Sequence, residues 1–227
     1  DKKNKTVKVQ PGVIRDQLNM FLKKYGLFFG PNTSTSSYCM IGGMVGNNSS
    51  GTSSIKYGVT RDKVLKLKTI LSDASEVAFE SLDDNEIKRK IKLDNLKGDI
   101  YRYFIKRYSD KINQNKIING FPDQKIHRRN TGYALDSIIK QKPFNNKGPN
   151  LNLSKILTGS EGTLAFTTEI TLKLESLPPL NSIMLALHFE SIQKAMESVV
   201  SVMKYDLYTC ELIDKTILDC TLHNPLQ

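Results

Sequence analysis

Gly159-Ser160-Glu161-Gly162-Thr163-Leu164-Ala165-Phe166-Thr167-Thr168-Glu169-Ile170-Thr171-Leu172-Lys173-Leu174 runs from a glycine-flanked turn directly into an alternating segment. Phe166, Thr168, Ile170, Leu172 and Leu174 recur at every second position, the period of a strand with one buried face. A strand is therefore expected over 164–174, with a turn before it. Two readings of that turn stay open from these residues alone. Gly159 and Gly162 either shape the entry to the strand, or let the backbone come close to a ligand.

Working outward, Thr6-Val7-Lys8-Val9-Gln10 alternates in the same way and is broken by Pro11-Gly12, which predicts a second strand and a turn. Val13, Leu18, Phe21, Leu22 and Tyr25 follow at near-helical spacing and stop at Gly26. Val64–Leu71, a Ser72–Ser75 turn and Glu76–Phe79 predict a hairpin. Residues 83–113 carry Ile87, Ile91, Leu96, Ile100 and Phe104, which predicts two helices separated near Asp94–Gly98. Residues 141–150 read as a loop. After Leu177-Pro178-Pro179-Leu180 the pattern restarts with a strand over Ile183–Phe189 and a helix through Ile192, Ala195, Met196, Val199, Val200 and Met203. A boundary at the prolines divides the chain into units 1–178 and 179–227. The second, of roughly 50 residues, is short for a core of its own and is expected to be incomplete. The class is α+β, a sheet flanked by helices.

Composition narrows the function. The 227 residues are 39% hydrophobic and 25% charged, which is ordinary for a globular protein with a sizeable core. The longest apolar runs, such as Ile183–Leu187, have strand length, and none approaches the roughly 18–20 residues of a membrane span. Asp1-Lys2-Lys3-Asn4-Lys5 does not resemble a signal peptide. Cys39, Cys210 and Cys220 form no CxxC pair, and His127, His188 and His223 lack zinc-site spacing, so no metal site is expected and a reduced, cytoplasmic setting is. A net charge of +10 raises the alternative of a basic, non-catalytic module for nucleic acid or another polyanion. The lysines are spread out, however. The densest group, Lys88-Arg89-Lys90 with Lys92, has no groove-fitting motif beside it and reads as a solvated helix face.

The stretch with most chemical content is Ile41-Gly42-Gly43-Met44-Val45-Gly46-Asn47-Asn48-Ser49-Ser50-Gly51-Thr52. Its glycines allow close backbone approach, and its N–H groups with Ser and Asn donors suit phosphate oxygens. A flexible surface loop is the plain alternative, against which Ile41, Met44 and Val45 look packed. Gly46 to Gly51 has Walker spacing, but Thr52-Ser53 stands where Lys-Ser/Thr is needed, and Gly-x-Gly-x-x-Gly is absent. Arg128 and Arg129 are open to two readings, a bidentate grip on a substrate carboxylate or phosphate, or structural ion pairs. His127 reads as an ordinary polar residue and Cys39 as packed.

Taken together, these segments resemble one family, the FAD-linked oxidases of the vanillyl-alcohol oxidase / p-cresol methylhydroxylase superfamily. The resemblance is to their glycolate-oxidase-subunit and D-lactate dehydrogenase-like branch. It is carried by Val9-Gln10-Pro11-Gly12-Val13, Leu27–Pro31, Ser34-Thr35-Ser36, the Ile41–Gly51 stretch, Lys56-Tyr57-Gly58 with Arg61-Asp62, and Gly159–Leu164 with Thr168-Glu169. Arg128–Asp136 further resembles the large D-2-hydroxyglutarate dehydrogenase-type members, in which the flavoprotein is fused to an iron–sulfur domain. The resemblance implies the second subdomain of a PCMH-type FAD-binding domain followed by the start of a ferredoxin-like cap. It implies that Pro31, Ser34, Ser37, Gly42, Gly43, Asn47, Asn48 and Gly51 line the FAD, with Gly159, Glu161, Gly162 and Leu164 against its flavin or adenosine half.

The same resemblance implies oxidation of a D-2-hydroxyacid to a 2-oxoacid. Electrons would pass to an iron–sulfur module or another acceptor, in a cytoplasmic or membrane-peripheral protein. The family's first FAD subdomain, with its Arg-Gly-Gly-Gly-Thr-type loop, is expected upstream of Thr6. The cap with its catalytic groups is expected beyond Gln227, so no catalytic residue is assigned here and the isolated piece is expected to be inactive.

Overall fold

The computed structural model describes residues 1–123, 125–126, 128–129 and 132–222. In chain order it runs β1 (Thr6–Val9), α1 (Arg15–Lys23), β2 (Leu27–Phe28), α2 (Ile41–Asn47), α3 (Ser54–Tyr57) and α4 (Thr60–Lys63). The hairpin β3 (Val64–Ile70) and β4 (Glu76–Phe79) follows, then the helices α5 (Asp84–Lys90), α6 (Leu96–Ser109), α7 (Lys111–Gly120), α8 (Leu135–Ile139) and α9 (Ser154–Leu157). Last come β5 (Phe166–Lys173), β6 (Glu175–Ser176), α10 (Ile192–Val202) and α11 (Lys215–Thr221).

The sheet has the order β1-β5-β3-β4, antiparallel at every pairing, and β2 pairs separately with β6. The alternating segment that follows Gly162 is thus a central strand, β5. Its inward residues Ile170, Leu172 and Leu174 are buried against Val64 and Leu67 of β3. On the other face Glu169 lies between two flanking strands, 3.6 Å from Lys8 and 3.3 Å from Lys68. Strand alternation therefore does two jobs here, filling the core on one side and pairing charge across strands on the other. Phe166, at the start of β5, remains 70% exposed. In β3 two register irregularities, between Val64 and Lys66 and between Lys68 and Thr69, shift the inward positions to Val64, Leu67 and Thr69.

The hairpin β3–β4 and helix α1 form where the sequence predicts them. The charged stretch after β4 forms three helices rather than two. The first break falls before Asn95, whose side chain caps α6 through the Gly98 N–H, and a second falls at Asp110, whose carboxylate accepts from the Ile112 N–H to start α7. Phe79 and Tyr101 meet at 6.3 Å between ring centres, which seats α6 on the hairpin.

Two expectations need correction. Ile41–Asn47 is a helix, not a loop, because Ile41, Met44 and Val45 point into the core at helical spacing. Residues 183–189 form no strand. Ile183, Met184 and Leu185 are 90%, 93% and 77% exposed, and among the described residues nothing pairs with them, so a ladder cannot form. The following helix does form as α10, capped by Ser191.

Candidate cofactor-binding site

Helix α2 is held at its start by the turn that ends β1. Its Ile41 and Gly42 N–H groups donate to the Val13 and Pro11 carbonyls at 2.9 and 2.8 Å, which satisfies donors the helix itself leaves free. A Cβ on Gly42 would stand 2.6 Å from Pro11 Cβ, so this glycine serves that approach. At its far end α2 meets the turn before β5. Gly159 N–H donates to Val45 O at 2.8 Å and Glu161 N–H to Gly46 O at 3.0 Å. The two glycine-rich stretches, far apart in the sequence, are one surface in space.

Asn48 ends α2 in the left-handed conformation, at φ 50, and is fully buried. Its Oδ1 accepts the Arg61 N–H at 2.8 Å, and its carboxamide also reaches the Arg129 carbonyl at 3.5 Å. Ser49 O accepts both the N–H and the hydroxyl of buried Thr60, at 3.1 and 2.7 Å. Arg61 donates from Nε and Nη2 to Thr158 O, at 3.1 and 2.8 Å, and from Nε to Lys155 O at 3.0 Å. Burial pushes its guanidinium below the usual arginine value, opposed by Asp136 and Asp62. Lys155, half-buried beside it, donates to the carbonyls of Arg61 and Val64, both at 2.7 Å. Desolvation pushes that ammonium down to about 8.

The residues named from the sequence divide into a face and a backing. Gly43, Asn47, Glu161, Gly162 and Leu164 are exposed along the joined surface, and a Cβ on Gly43 or Gly162 would meet nothing within 4 Å. Open glycines beside exposed amide and carboxylate groups suit a flat ring system with a diphosphate tail, so the exposed set fits an FAD. Ser34 and Ser37 are exposed on the turn over 34–38. Arg15 and Asp16 brace that turn. Arg15 donates to Pro31 O at 3.1 Å and to Asp16 Oδ1 at 2.8 Å, while Ser36 donates to Asp16 Oδ2 at 2.8 Å. The Arg15 bond, more than the Ser36 one, holds the Asp16 carboxyl below its ordinary range.

Pro31 and Asn48 are buried behind the joined surface. Gly42 and Gly51 are packed against Pro11 and Asn32. A Cβ on Gly51 would stand only 2.4 Å from the Asn32 carbonyl oxygen. Gly159 is packed against Arg61.

A third segment crosses both stretches. Arg128 Nε donates to Ser50 Oγ at 3.2 Å, and the Tyr133 and Thr163 hydroxyls meet at 2.7 Å. Arg128 is exposed at this edge. Arg129 turns inward onto Asp136, with 2.5 Å between Nη2 and Oδ2. Of the two readings the sequence left open, Arg129 takes the structural ion pair, while Arg128 bonds Ser50 at the exposed edge. His127, Asn130 and Thr131 lie outside the described residues, as does His223. Sequence reasoning attaches no role to Arg61 and misses Lys155 altogether. A basic residue just after Lys56-Tyr57-Gly58 is the only hint, since neither shows its burial in sequence.

Residues 1–79 match the family model described as FAD binding domain. The chain is 33% identical over 220 residues to a D-2-hydroxyglutarate dehydrogenase of Haemophilus influenzae, covering 96% of this chain and 20% of that protein. It is 33% identical over 213 residues to the Escherichia coli protein of the same name, covering 94% and 20%. It is 27% identical over 220 residues to glycolate oxidase subunit GlcD of Bacillus subtilis, covering 96% and 34%. A solved structure of alkyldihydroxyacetonephosphate synthase aligns with 78% of this chain and 21% of its own at 19% identity, with a TM-score of 0.43. The chain thus spans about a fifth of the length of the first two relatives. Residues 1–79 thus match an FAD-binding domain, and the resemblance read from the two glycine-rich stretches is borne out. No helix among the described residues is long and apolar enough to cross a membrane.

Proposed function

We propose that this chain forms one wall of the FAD pocket in a larger flavoenzyme that oxidises a D-2-hydroxyacid to the 2-oxoacid. The single observation that carries this reading is the joining of α2 to the Gly159–Leu164 turn through the Gly159 and Glu161 N–H groups, within a chain matching an FAD-binding domain. The similarity to proteins named D-2-hydroxyglutarate dehydrogenase supports a hydroxyacid substrate. When bound, the flavin supplies the hydride acceptor.

This chain's own part is to hold and to orient. Gly43, Asn47, Glu161, Gly162 and Leu164 would lie against the cofactor, with Ser34 and Ser37 at its edge. Arg128, exposed beside Ser50, would meet a carboxylate of the substrate or a phosphate of the cofactor, where a guanidinium fork gives two parallel hydrogen bonds. Residues 1–178 would belong to the FAD-binding domain and 179–227 to the beginning of a cap. The electrons would leave for an iron–sulfur module or another acceptor outside this chain, in a cytoplasmic or membrane-peripheral protein.

The test uses the full-length parent, purified and mixed without oxygen with a panel of D- and L-2-hydroxyacids. Bound-flavin absorption that bleaches with D-2-hydroxyacids supports the reading. A parent protein without flavin bands sinks it, and bands that no hydroxyacid bleaches sink the substrate class.

A further inference from the structure

We propose that Arg61 is a positioning residue that holds the two halves of the FAD wall in register, an inference that rests on the FAD reading above. One half is the end of α2, carrying Gly43 and Asn47 and closed by Asn48. The other is the turn over 158–162, carrying Glu161 and Gly162. Arg61 touches both. Its N–H donates to the Asn48 side chain at 2.8 Å, and its guanidinium donates to Thr158 O through two nitrogens, at 3.1 and 2.8 Å. A third bond, to Lys155 O at 3.0 Å, ties in α9, and Lys155 returns a bond to Arg61 O at 2.7 Å. The fit is close from the other side as well. A Cβ on Gly159 would stand 2.5 Å from Arg61 Nη2 and 3.3 Å from Asn48 Cβ.

The chemistry explains why an arginine is needed. The acceptors of this guanidinium are carbonyl oxygens, not a carboxylate, and a second cation, Lys155, lies half-buried beside it. Two half-buried cations without a directly bonded anion are a poor way to gain stability, since desolvation opposes both. What the guanidinium offers is geometry, several donors fixed in one plane that meet carbonyls from Lys155 and Thr158 at once. Lysine has the charge without the planar fork. With the backbone N–H to Asn48 alone, the 158–162 turn would hang from α2 only through the Gly159 and Glu161 N–H groups, with no side chain bracing Thr158.

The test compares wild type, Arg61→Ala and Arg61→Lys in the full-length parent. FAD affinity of the stripped protein, melting temperature and the visible bands at saturating FAD are measured for each. Both variants should bind FAD about ten- to a hundredfold more weakly, the loss expected for missing charge-assisted hydrogen bonds. Their bound flavin bands should shift, and added guanidinium ion should restore affinity to Arg61→Ala but not to Arg61→Lys. If Arg61→Ala does not fold, Arg61→Lys carries the test through affinity and band position. A fall in melting temperature with wild-type affinity and bands would make Arg61 purely structural and overturn the proposal. A wild-type parent that carries no flavin would instead remove the FAD reading beneath it.

Discussion

Glu161 N–H donates to Gly46 O at 3.0 Å, so the exposed turn before β5 hangs from the last turn of α2. Glu161 itself sits at φ 53, a conformation that a residue with a Cβ holds only when its surroundings fix it. Gly159, two residues earlier, makes the companion bond to Val45 O. Both bonds end on carbonyls in the last turn of α2, where Val45 O also accepts the Asn48 N–H at 3.2 Å. The geometry of the candidate pocket therefore follows from where α2 stops, and α2 stops at Asn48.

Gly159 is the most sensitive single position in that joint. It lies at φ +91, and a Cβ would press on Arg61 Nη2 at 2.5 Å and on Asn48 Cβ at 3.3 Å. Gly159→Ala should cost about 2–4 kcal/mol, the sum of an unfavourable backbone conformation and displacement of a buried hydrogen-bonded group. Gly162→Ala, at φ +73 with open space around it, should cost only the backbone part, about 1 kcal/mol. Urea denaturation of the two variants measures the difference, and equal losses would contradict it.

Asn48 combines two demands, a left-handed backbone and a buried acceptor for the Arg61 N–H. Asn48→Gly keeps the first and loses the second, for a cost of about 1–2 kcal/mol. Asn48→Ala loses both and should cost about 2–4 kcal/mol. Alanine worse than glycine, in equilibrium unfolding, is the expected order. The reverse order would mean that the left-handed backbone contributes little here.

Much of this was legible in the sequence, and the limits have physical causes. The strand of residues 166–173 was legible because its alternation is local and one face is buried. The joined surface was legible as two glycine-rich stretches, but their joining was not, since the bonds from Gly159 and Glu161 come from backbone N–H groups that any residue except proline possesses. The helical state of Ile41–Asn47 was obscured by Gly42, Gly43 and Gly46, which carry low helix propensity. Tertiary burial of Ile41, Met44 and Val45 overrode it. The reason for each glycine was not legible either: Gly42, Gly51 and Gly159 make room for Pro11, Asn32 and Arg61, while Gly43 and Gly162 leave open surface.

Arg128 and Arg129 are neighbours with opposite expected effects. Arg129 and Asp136 form a half-buried ion pair, with side-chain exposures of 21% and 9%. Asp136→Asn would leave a mostly buried guanidinium without its anion and should cost about 2–3 kcal/mol, below the full buried-pair range because Arg129 keeps some contact with water. Arg128→Ala, at an exposed site, should change stability by less than about 0.5 kcal/mol. In the full-length parent the same change should raise KM for the hydroxyacid or weaken FAD binding. Thermal melts and steady-state kinetics on the two variants separate the roles. An Arg128→Ala parent with unchanged KM and FAD affinity would remove Arg128 from the site.

Lys155 sets a pH dependence whose sign can be worked out. Its ammonium titrates near 8 in the folded chain, against an ordinary value of 10.5, because burial disfavours the charge. Below pH 8 it is protonated in both folded and unfolded chains, and the folded state carries the full desolvation penalty. Between pH 8 and about 10 the folded chain releases the proton while the unfolded chain keeps it. That window should therefore bring a gain in the Lys155 contribution to stability, at most about 3 kcal/mol. Lys155→Met removes the titration altogether. Comparing unfolding free energies of wild type and Lys155→Met at pH 7 and pH 9.5 isolates the effect, with the wild type gaining on the variant at the higher pH. A wild type that instead loses ground to the variant would mean that the charged hydrogen bonds to Arg61 O and Val64 O outweigh the burial of the ammonium.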